Sequence, residues 1–108
     1  MTINETQDDI IAEFEGLTDW MDRYAYIIEL GNTLEEYPES DKTPSNLIEG
    51  CQSRVWIDAK REPDGKIAFR ADSDALIVKG IVALLMRVLN HRTPDEILDA
   101  DLYFIDRI

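Results

Sequence analysis

Two short segments of alternating polar and apolar residues enclose the turn sequence Pro63-Asp64-Gly65 and predict an antiparallel β-hairpin. The segments cover residues 53–60 and 66–72. Successive side chains of a strand point to opposite faces, so each segment has one apolar face. The residues expected on that face are Ser53, Val55, Ile57 and Ala59 in the first strand, and Ile67, Phe69 and Ala71 in the second. An isolated hairpin is only marginally stable, so we expect helices to cover this face.

A long apolar segment follows the hairpin and predicts a central helix over residues 74–90, capped by Ser73. Its apolar residues nearly encircle the axis, as is typical of a helix covered on several sides. Gly80 lies in the middle of it, where glycine costs roughly 1 kcal/mol relative to alanine. We therefore expect Gly80 to allow close packing against the sheet.

Two amphipathic helices are predicted before the hairpin. The first covers residues 5–15, and the second begins after a cap at Thr18 and stops at Gly31. In the second helix the spacing places four residues on one apolar face: Trp20, Tyr24, Ile27 and Ile28. Together with the hairpin and the central helix, these elements indicate a single α+β domain over residues 1–108.

The remaining segments are predicted from their proline and apolar residues. Pro38 and Pro44 are incompatible with a continuous helix, so residues 33–46 are expected to form a surface loop. Thr93-Pro94 predicts the cap and first residue of a short last helix. Residues 102–105 form an apolar run close to the end, which we expect to be uncovered because a C-terminal segment is absent.

The charge balance argues against several classes of partner. The 108 residues contain 23 Asp and Glu but only 11 Lys and Arg, a net charge of -12. Such a chain repels phosphate, so nucleic acids and anionic membranes are poor partners. The charge serves either solubility or attraction of a basic protein partner. The polar, acidic start does not have the pattern of a signal peptide, and a cytoplasmic location is expected.

Cys51 is the only cysteine, so an intramolecular disulfide or an all-cysteine metal site is impossible. A polar, turn-prone run precedes it and Gly50 is its neighbour, which predicts a loop position. A single accessible thiol is sufficient for sulfur transfer, because thiol exchange needs only a thiolate that a partner can reach. Spacing alone leaves open whether Cys51 is such a carrier or a small packed side chain.

An alternative is a thiol hydrolase in which Cys51 pairs with His91, the only histidine. His91 follows the predicted central helix, where interaction with the helix dipole explains it without catalysis. No metal or cofactor site is predicted, since the cysteine and histidine are single and the five glycines do not cluster into a phosphate-binding loop.

Three blocks of sequence resemble the SufE family of sulfur acceptors. The most specific block is Leu47-Ile48-Glu49-Gly50-Cys51-Gln52-Ser53-Arg54-Val55-Trp56. The other two are Tyr26-Ile27-Ile28-Glu29-Leu30-Gly31 and Asp72-Ser73-Asp74-Ala75-Leu76-Ile77-Val78-Lys79-Gly80. The resemblance implies an α+β fold with a small antiparallel sheet and helices packed mainly on one face.

The resemblance also implies a function. Cys51 would take sulfur from the persulfide of a SufS-type cysteine desulfurase and pass it toward SufBCD-type assembly machinery. The pyridoxal phosphate of that reaction belongs to the desulfurase, so no cofactor is expected here. SufE proteins usually continue through a further C-terminal helical segment, which this sequence lacks and which we expect to affect stability or competence.

Further residues are candidates for the loop or its docking surface: Gly50, Gln52, Arg54, Asp72, Asp74 and Lys79. Gly50 would act as a hinge, and Arg54 would favour the thiolate. For Asp72 and Asp74 the simpler interpretation is stabilisation of the start of the central helix. A third functional alternative is a module that binds a desulfurase without accepting sulfur.

Overall fold

A computed structural model describes residues 1–48 and 52–108 of the chain. The described residues form four α-helices and two β-strands: α1 (Ile3–Glu15), α2 (Trp20–Gly31), β1 (Val55–Arg61), β2 (Ile67–Ser73), α3 (Leu76–Leu89) and α4 (Pro94–Asp99). Short 3-10 helices cover Glu39–Asp41 and Tyr103–Arg107. This is the predicted α+β class, with a two-stranded antiparallel sheet packed against helices.

The hairpin has the predicted faces. Val55 pairs with Ser73 and Ile57 with Ala71, so that the apolar side chains of both strands lie on one side of the sheet. That side packs against Val82 and Met86 of α3 and forms one of two core clusters. In the turn, Gly65 has a φ of 85°, a left-handed conformation that favours glycine.

The second core cluster lies among the helices. Ile10 and Phe14 of α1 pack with Leu84 and Val88 of α3, and Leu85 contacts both clusters. Glu13 accepts hydrogen bonds from Tyr26 of α2 and Arg87 of α3. The central helix therefore joins a helical core on one side to the sheet on the other.

Several helix starts differ from the prediction. α1 begins at Ile3, two residues early, because Thr2 and Glu5 form a capping box. The cap of α2 is Asp19, whose carboxylate accepts the Met21 N–H, and not Thr18. The start of α4, in contrast, is confirmed, with Thr93 as cap and Pro94 in the first turn.

The exposed and packed faces of α2 were predicted incorrectly in part. Tyr26, Ile27 and Leu30 pack against the helical core. Trp20 and Tyr24, expected on the same apolar face as Ile27, are 72% and 51% exposed. The helix therefore carries two overlapping apolar stripes. The stripe with Tyr26, Ile27 and Leu30 is packed, and the stripe with Trp20 and Tyr24 is exposed.

Gly80 is needed for close packing, but its partner is α2 and not the sheet. A Cβ atom at Gly80 would lie 2.0 Å from the Ile27 carbonyl oxygen. Gly31 is close by, since a Cβ there would lie 3.1 Å from the Gly80 nitrogen. Gly31 is the last residue of α2 and its φ is not positive, so its role is this close contact rather than a left-handed helix stop.

The apolar run near the C-terminus is not uncovered as expected. Phe104 is only 1% exposed and belongs to the helical core. Its N–H donates to Gln7 Oε1 at 3.1 Å, and Gln7 Nε2 donates to the Asp101 carbonyl at 2.9 Å. The run is therefore held against α1, although Ile105 remains exposed.

Residues 33–46 form more than a surface loop. Leu34 packs against the sheet cluster and Tyr37 is buried. Farther along, Asp41 and Lys42 contact Arg70 and Asp72 on the second face of the hairpin. This segment thus covers the polar side of the sheet.

Candidate functional site

One end of the segment that contains Cys51 is held to the outer edge of β1. The Ile48 N–H donates to the Val55 carbonyl and the Ile57 N–H to the Asn46 carbonyl, each at 2.9 Å. Leu47 thereby pairs with Trp56 in an antiparallel bridge. The predicted acceptor Cys51 and hinge Gly50 belong to residues 49–51, outside the described residues.

The other end of the segment is held at Arg54 by the end of β2. The Arg54 N–H donates to Asp74 Oδ1 at 3.0 Å. Its carbonyl oxygen accepts from Ser73 Oγ at 2.8 Å and from the Asp74 N–H at 3.2 Å. The Arg54 and Gln52 side chains are exposed. The backbone N–H and carbonyl groups of Arg54 are therefore both hydrogen-bonded to residues 73 and 74.

The helix-start interpretation of Asp72 and Asp74 is wrong. α3 begins at Leu76, its cap residue Ala75 offers no side-chain acceptor, and its first turn contains no acidic residue. Asp72 lies within β2, and Asp74 bonds to Arg54. Ser73, expected to cap the helix, instead ends β2 and donates to Arg54. The Ser73 and Asp74 side chains therefore both bond to Arg54, at the base of the Cys51 segment.

Asp72 joins two lysines on the polar face of the hairpin. Lys42 Nζ lies 3.2 Å from Asp72 Oδ2, and Lys79 Nζ lies 3.3 Å from Oδ1. Lys42 also lies over the Trp56 ring, 5.0 Å from its centroid. Burial raises the pKa of Asp72, whereas hydrogen bonds from the Ser73 N–H and from both lysines lower it. The lowering effects together are larger, so the pKa of Asp72 lies below its ordinary value. Asp72 is thus held as a carboxylate between two cations.

A second ionic cluster lies on the same face and was not predicted from the sequence. Arg70 donates to Asp58 at 2.6 Å and to Asp41 at 2.9 Å, and its guanidinium stacks over Tyr37. These carboxylates, Asp58 first, raise the pKa of Arg70 above its ordinary value. The alternating pattern of the two strands places Asp58 and Arg70 on the same face of the hairpin. The sequence pattern of residues 33–46 did not indicate that this segment would contact that face.

His91 lies at the opposite end of the hairpin from the Cys51 segment. Its Nδ1 is 2.8 Å from Glu62 Oε1, and its N–H donates to the Ile67 carbonyl. Ile67 begins β2, whereas Ser73, the partner of Val55, ends it. Seven strand residues span roughly 20 Å. The described residues therefore do not bring His91 to the end of the sheet where Arg54 and Val55 lie.

Within 1–48 and 52–108, three or more His, Cys, Asp or Glu side chains do not cluster in a way that would hold a metal ion. Across the same residues, each helix is too short or too polar to cross a membrane.

The comparison with known families covers nearly the whole chain. Residues 8–108 match the family described as SufE: Fe-S metabolism associated domain. The match includes the sheet cluster, all of the buried helical cluster except Ile3, the hairpin and residues 47–56 around Cys51. The chain therefore belongs to the SufE family, and its role is in iron–sulfur metabolism.

Proposed function

We propose that the protein is a sulfur acceptor whose Cys51 takes persulfide sulfur from a SufS-type cysteine desulfurase and delivers it to a SufBCD-type scaffold. The observation that carries this proposal is the family membership together with the motif at residues 47–56, which contains the only cysteine. Pyridoxal phosphate would belong to the desulfurase. The protein would act as a carrier and activator of that enzyme.

The proposed step is a thiol–persulfide exchange. The Cys51 thiolate attacks the outer sulfur of the donor persulfide, the donor S–S bond breaks, and the donor cysteine leaves as thiolate. Cys51 then carries the sulfur and its proton as a persulfide, so atoms and charge balance. An ordinary cysteine, with a pKa of about 8.5, is only a few per cent thiolate at neutral pH. Arg54, the nearest basic residue along the chain, would favour the thiolate.

The surroundings of the anchored segment support contact with a partner. Ile48, which immediately precedes residues 49–51, is exposed. Leu76, two residues after Asp74, is 63% exposed although it is a large apolar side chain. Apolar side chains near a reactive loop favour docking, because their burial against a partner is favourable and excludes water. We infer that Ile48 and Leu76 contact the desulfurase, with Gln52, Arg54 and Asp74 beside them.

The hydrolase alternative receives no support from the described residues, because His91 pairs with Glu62 at the far end of the hairpin. Replacement of His91 by alanine should therefore leave sulfur acceptance nearly unchanged. Loss of sulfur acceptance in His91→Ala, with the fold intact, would favour the hydrolase pair instead.

Mass spectrometry tests the proposal directly. The protein is incubated with a SufS-type desulfurase, cysteine and pyridoxal phosphate, and the intact mass and peptides are measured without reductant. We expect a gain of about 32 Da, one sulfur atom, on the peptide that contains Cys51. Absence of this adduct in a protein that binds the desulfurase would contradict the carrier role.

Two controls separate the alternatives. Cys51→Ser should abolish the adduct and leave the unfolding midpoint unchanged, because it removes the nucleophile alone. Alkylation of Cys51 tests the module that binds without accepting sulfur. If the alkylated protein stimulates the desulfurase as fully as the free thiol does, the function is regulatory and the carrier proposal is wrong.

A further inference from the structure

The first half of α2 carries three adjacent exposed apolar side chains, Trp20, Met21 and Tyr24, which we call the α2 strip. Trp20 and Met21 are 72% and 76% exposed, and Tyr24 is 51% exposed. The three line one shallow, almost wholly apolar depression. Single exposed apolar residues are ordinary, whereas a contiguous apolar patch marks an interaction surface.

The strip lies in the first half of α2, where it adjoins the face that fills the core: Trp20 is about 20° from Ile27 around the helix. Tyr26, Ile27 and Leu30 pack inward. At about 100° per residue, Trp20 and Tyr24 lie only about 40° apart, and Met21 extends the strip away from the core. A helix that is apolar on more than one face is usually covered on more than one face. The described part of the chain leaves the strip exposed.

The charged residues near the strip in the sequence are almost all negative. Residues 1–36 contain ten Asp and Glu but a single basic residue, Arg23. Arg23 Nε donates to the Leu17 carbonyl at 2.6 Å, which holds this cation against the chain. Asp22 and Glu29 are exposed and lie within about 100° of Met21 around the helix. An apolar strip bordered by carboxylates is complementary to an apolar strip bordered by lysine or arginine.

A second copy of this chain is a poor occupant. Each copy has a net charge of -12, so two acidic surfaces would repel each other. Three side chains also offer less apolar area than the roughly 800 Å² per partner of a stable interface between folded proteins. One amphipathic helix, which buries a single row of side chains, matches the strip in size and shape.

We propose that the α2 strip binds a basic amphipathic helix of another protein. Its apolar row packs on Trp20, Met21 and Tyr24, and its lysine or arginine residues face Asp22 and Glu29. Trp and Tyr suit this role because large aromatic side chains dominate the binding energy of interfaces. The proposal does not depend on sulfur acceptance by Cys51.

A designed peptide of about 18 residues, five helical turns, serves as the probe. It carries leucine at positions i, i+3, i+4 and i+7 and lysine at the positions that flank this leucine row on both sides. One control peptide has the same composition in a scrambled order, and a second has glutamate in place of lysine. Trp20 reports binding by fluorescence in the full chain with Trp56→Phe, which removes the second tryptophan. Calorimetry gives the affinity for the unsubstituted chain.

We expect the basic amphipathic peptide to bind, to shift Trp20 emission to shorter wavelength and to bind less tightly as salt rises. Trp20→Ala and Tyr24→Ser should each weaken binding at least about tenfold. Asp22→Asn with Glu29→Gln should weaken it and reduce its salt dependence. Leu98→Ser is the matched control, because Leu98 is 82% exposed on α4 and should not matter. Circular dichroism checks that every variant folds.

Three results would overturn the proposal. The first is equal binding of the scrambled or the glutamate peptide. The second is binding that is insensitive to Trp20→Ala and Tyr24→Ser in folded variants. The third is a dimer of the protein, seen by sedimentation and abolished by Trp20→Ala, because the occupant would then be a second copy.

Discussion

Asp74 Oδ1 accepts the backbone N–H of Arg54 at 3.0 Å and so joins the end of the hairpin to the base of the Cys51 segment. The same residue donates its own N–H to the Arg54 carbonyl at 3.2 Å. An acidic residue before a helix usually stabilises the helix start, but here the carboxylate bonds to a residue twenty positions earlier in the chain. Its predicted effect is therefore on the segment and not on α3.

Asp74→Ala should loosen the chain at Arg54. Loss of one hydrogen bond to a charged acceptor weakens local stability by about 1 kcal/mol, which speeds local opening roughly fivefold. We expect faster amide hydrogen exchange at Arg54, measured by NMR, and little change at the amides of α3. Asp74→Asn keeps an acceptor oxygen and should restore most of the protection. Unchanged exchange at Arg54 in Asp74→Ala would show that this bond does not hold the segment.

Gly80→Ala should destabilise the protein although alanine is the better helix former. The new Cβ would lie 2.0 Å from the Ile27 carbonyl oxygen, so α2 and α3 must move apart. Overpacking of this kind outweighs the helix-propensity gain of about 1 kcal/mol, and we expect a net loss of about 2 kcal/mol in the free energy of unfolding. Urea denaturation measures it.

Gly16→Ala provides the control for the glycine substitution. Its Cβ would make an ordinary contact of 3.6 Å with the Glu13 carbonyl oxygen, and its φ of -73° is accessible to alanine. This substitution should be neutral or slightly stabilising. If Gly80→Ala behaves in the same way as Gly16→Ala, the close contact with Ile27 is not a constraint.

Asp72→Asn should make stability less dependent on pH. Because the folded-state pKa of Asp72 lies below its ordinary value, its carboxylate stabilises the fold above the ordinary pKa. This contribution is lost as the pH falls through the lowered pKa. We expect Asp72→Asn to be less stable by about 1 kcal/mol at pH 7 and the difference to shrink in acid. Thermal unfolding from pH 7 to pH 3 measures it.

Asp106→Asn is the matched control for charge alone, since Asp106 is exposed near the C-terminus. It should change stability by less than about 0.5 kcal/mol. A stability difference between Asp72→Asn and the unsubstituted protein that stays constant with pH would contradict an electrostatic role for Asp72.

Leu76→Ser should weaken binding to the desulfurase if the proposed docking surface is correct. Leu76 is 63% exposed, so the substitution should leave the unfolding midpoint nearly unchanged. Loss of a buried apolar contact in the complex should reduce affinity about fivefold or more. Calorimetry with the desulfurase gives the affinity, with Leu98→Ser as the control. Equal affinities for the two variants would remove Leu76 from the interface.

The family motif around Cys51 was readable from the sequence because it is local. The hairpin was equally readable, since alternation at Val55, Ile57, Phe69 and Ala71 and the turn at Gly65 need only neighbouring residues. The prediction of Cys51 as the acceptor stays a prediction, because residues 49–51 lie outside the described residues. The expected absence of a further C-terminal segment is also untested, although Phe104, part of the run thought to be uncovered, is buried.

The sequence by itself determined the kinds of elements, the buried face of the sheet and the family, because periodicity and turn residues act over a few positions. Only the tertiary structure decided which residues contact one another across the fold. It selected Tyr26, Ile27 and Leu30 over Trp20 and Tyr24 as the packed face of α2. It also showed that Gly80 packs against α2 and that Asp74 accepts a hydrogen bond from Arg54. Two overlapping apolar stripes satisfy the same helical period, so the choice between them rests on contacts between residues far apart in the chain.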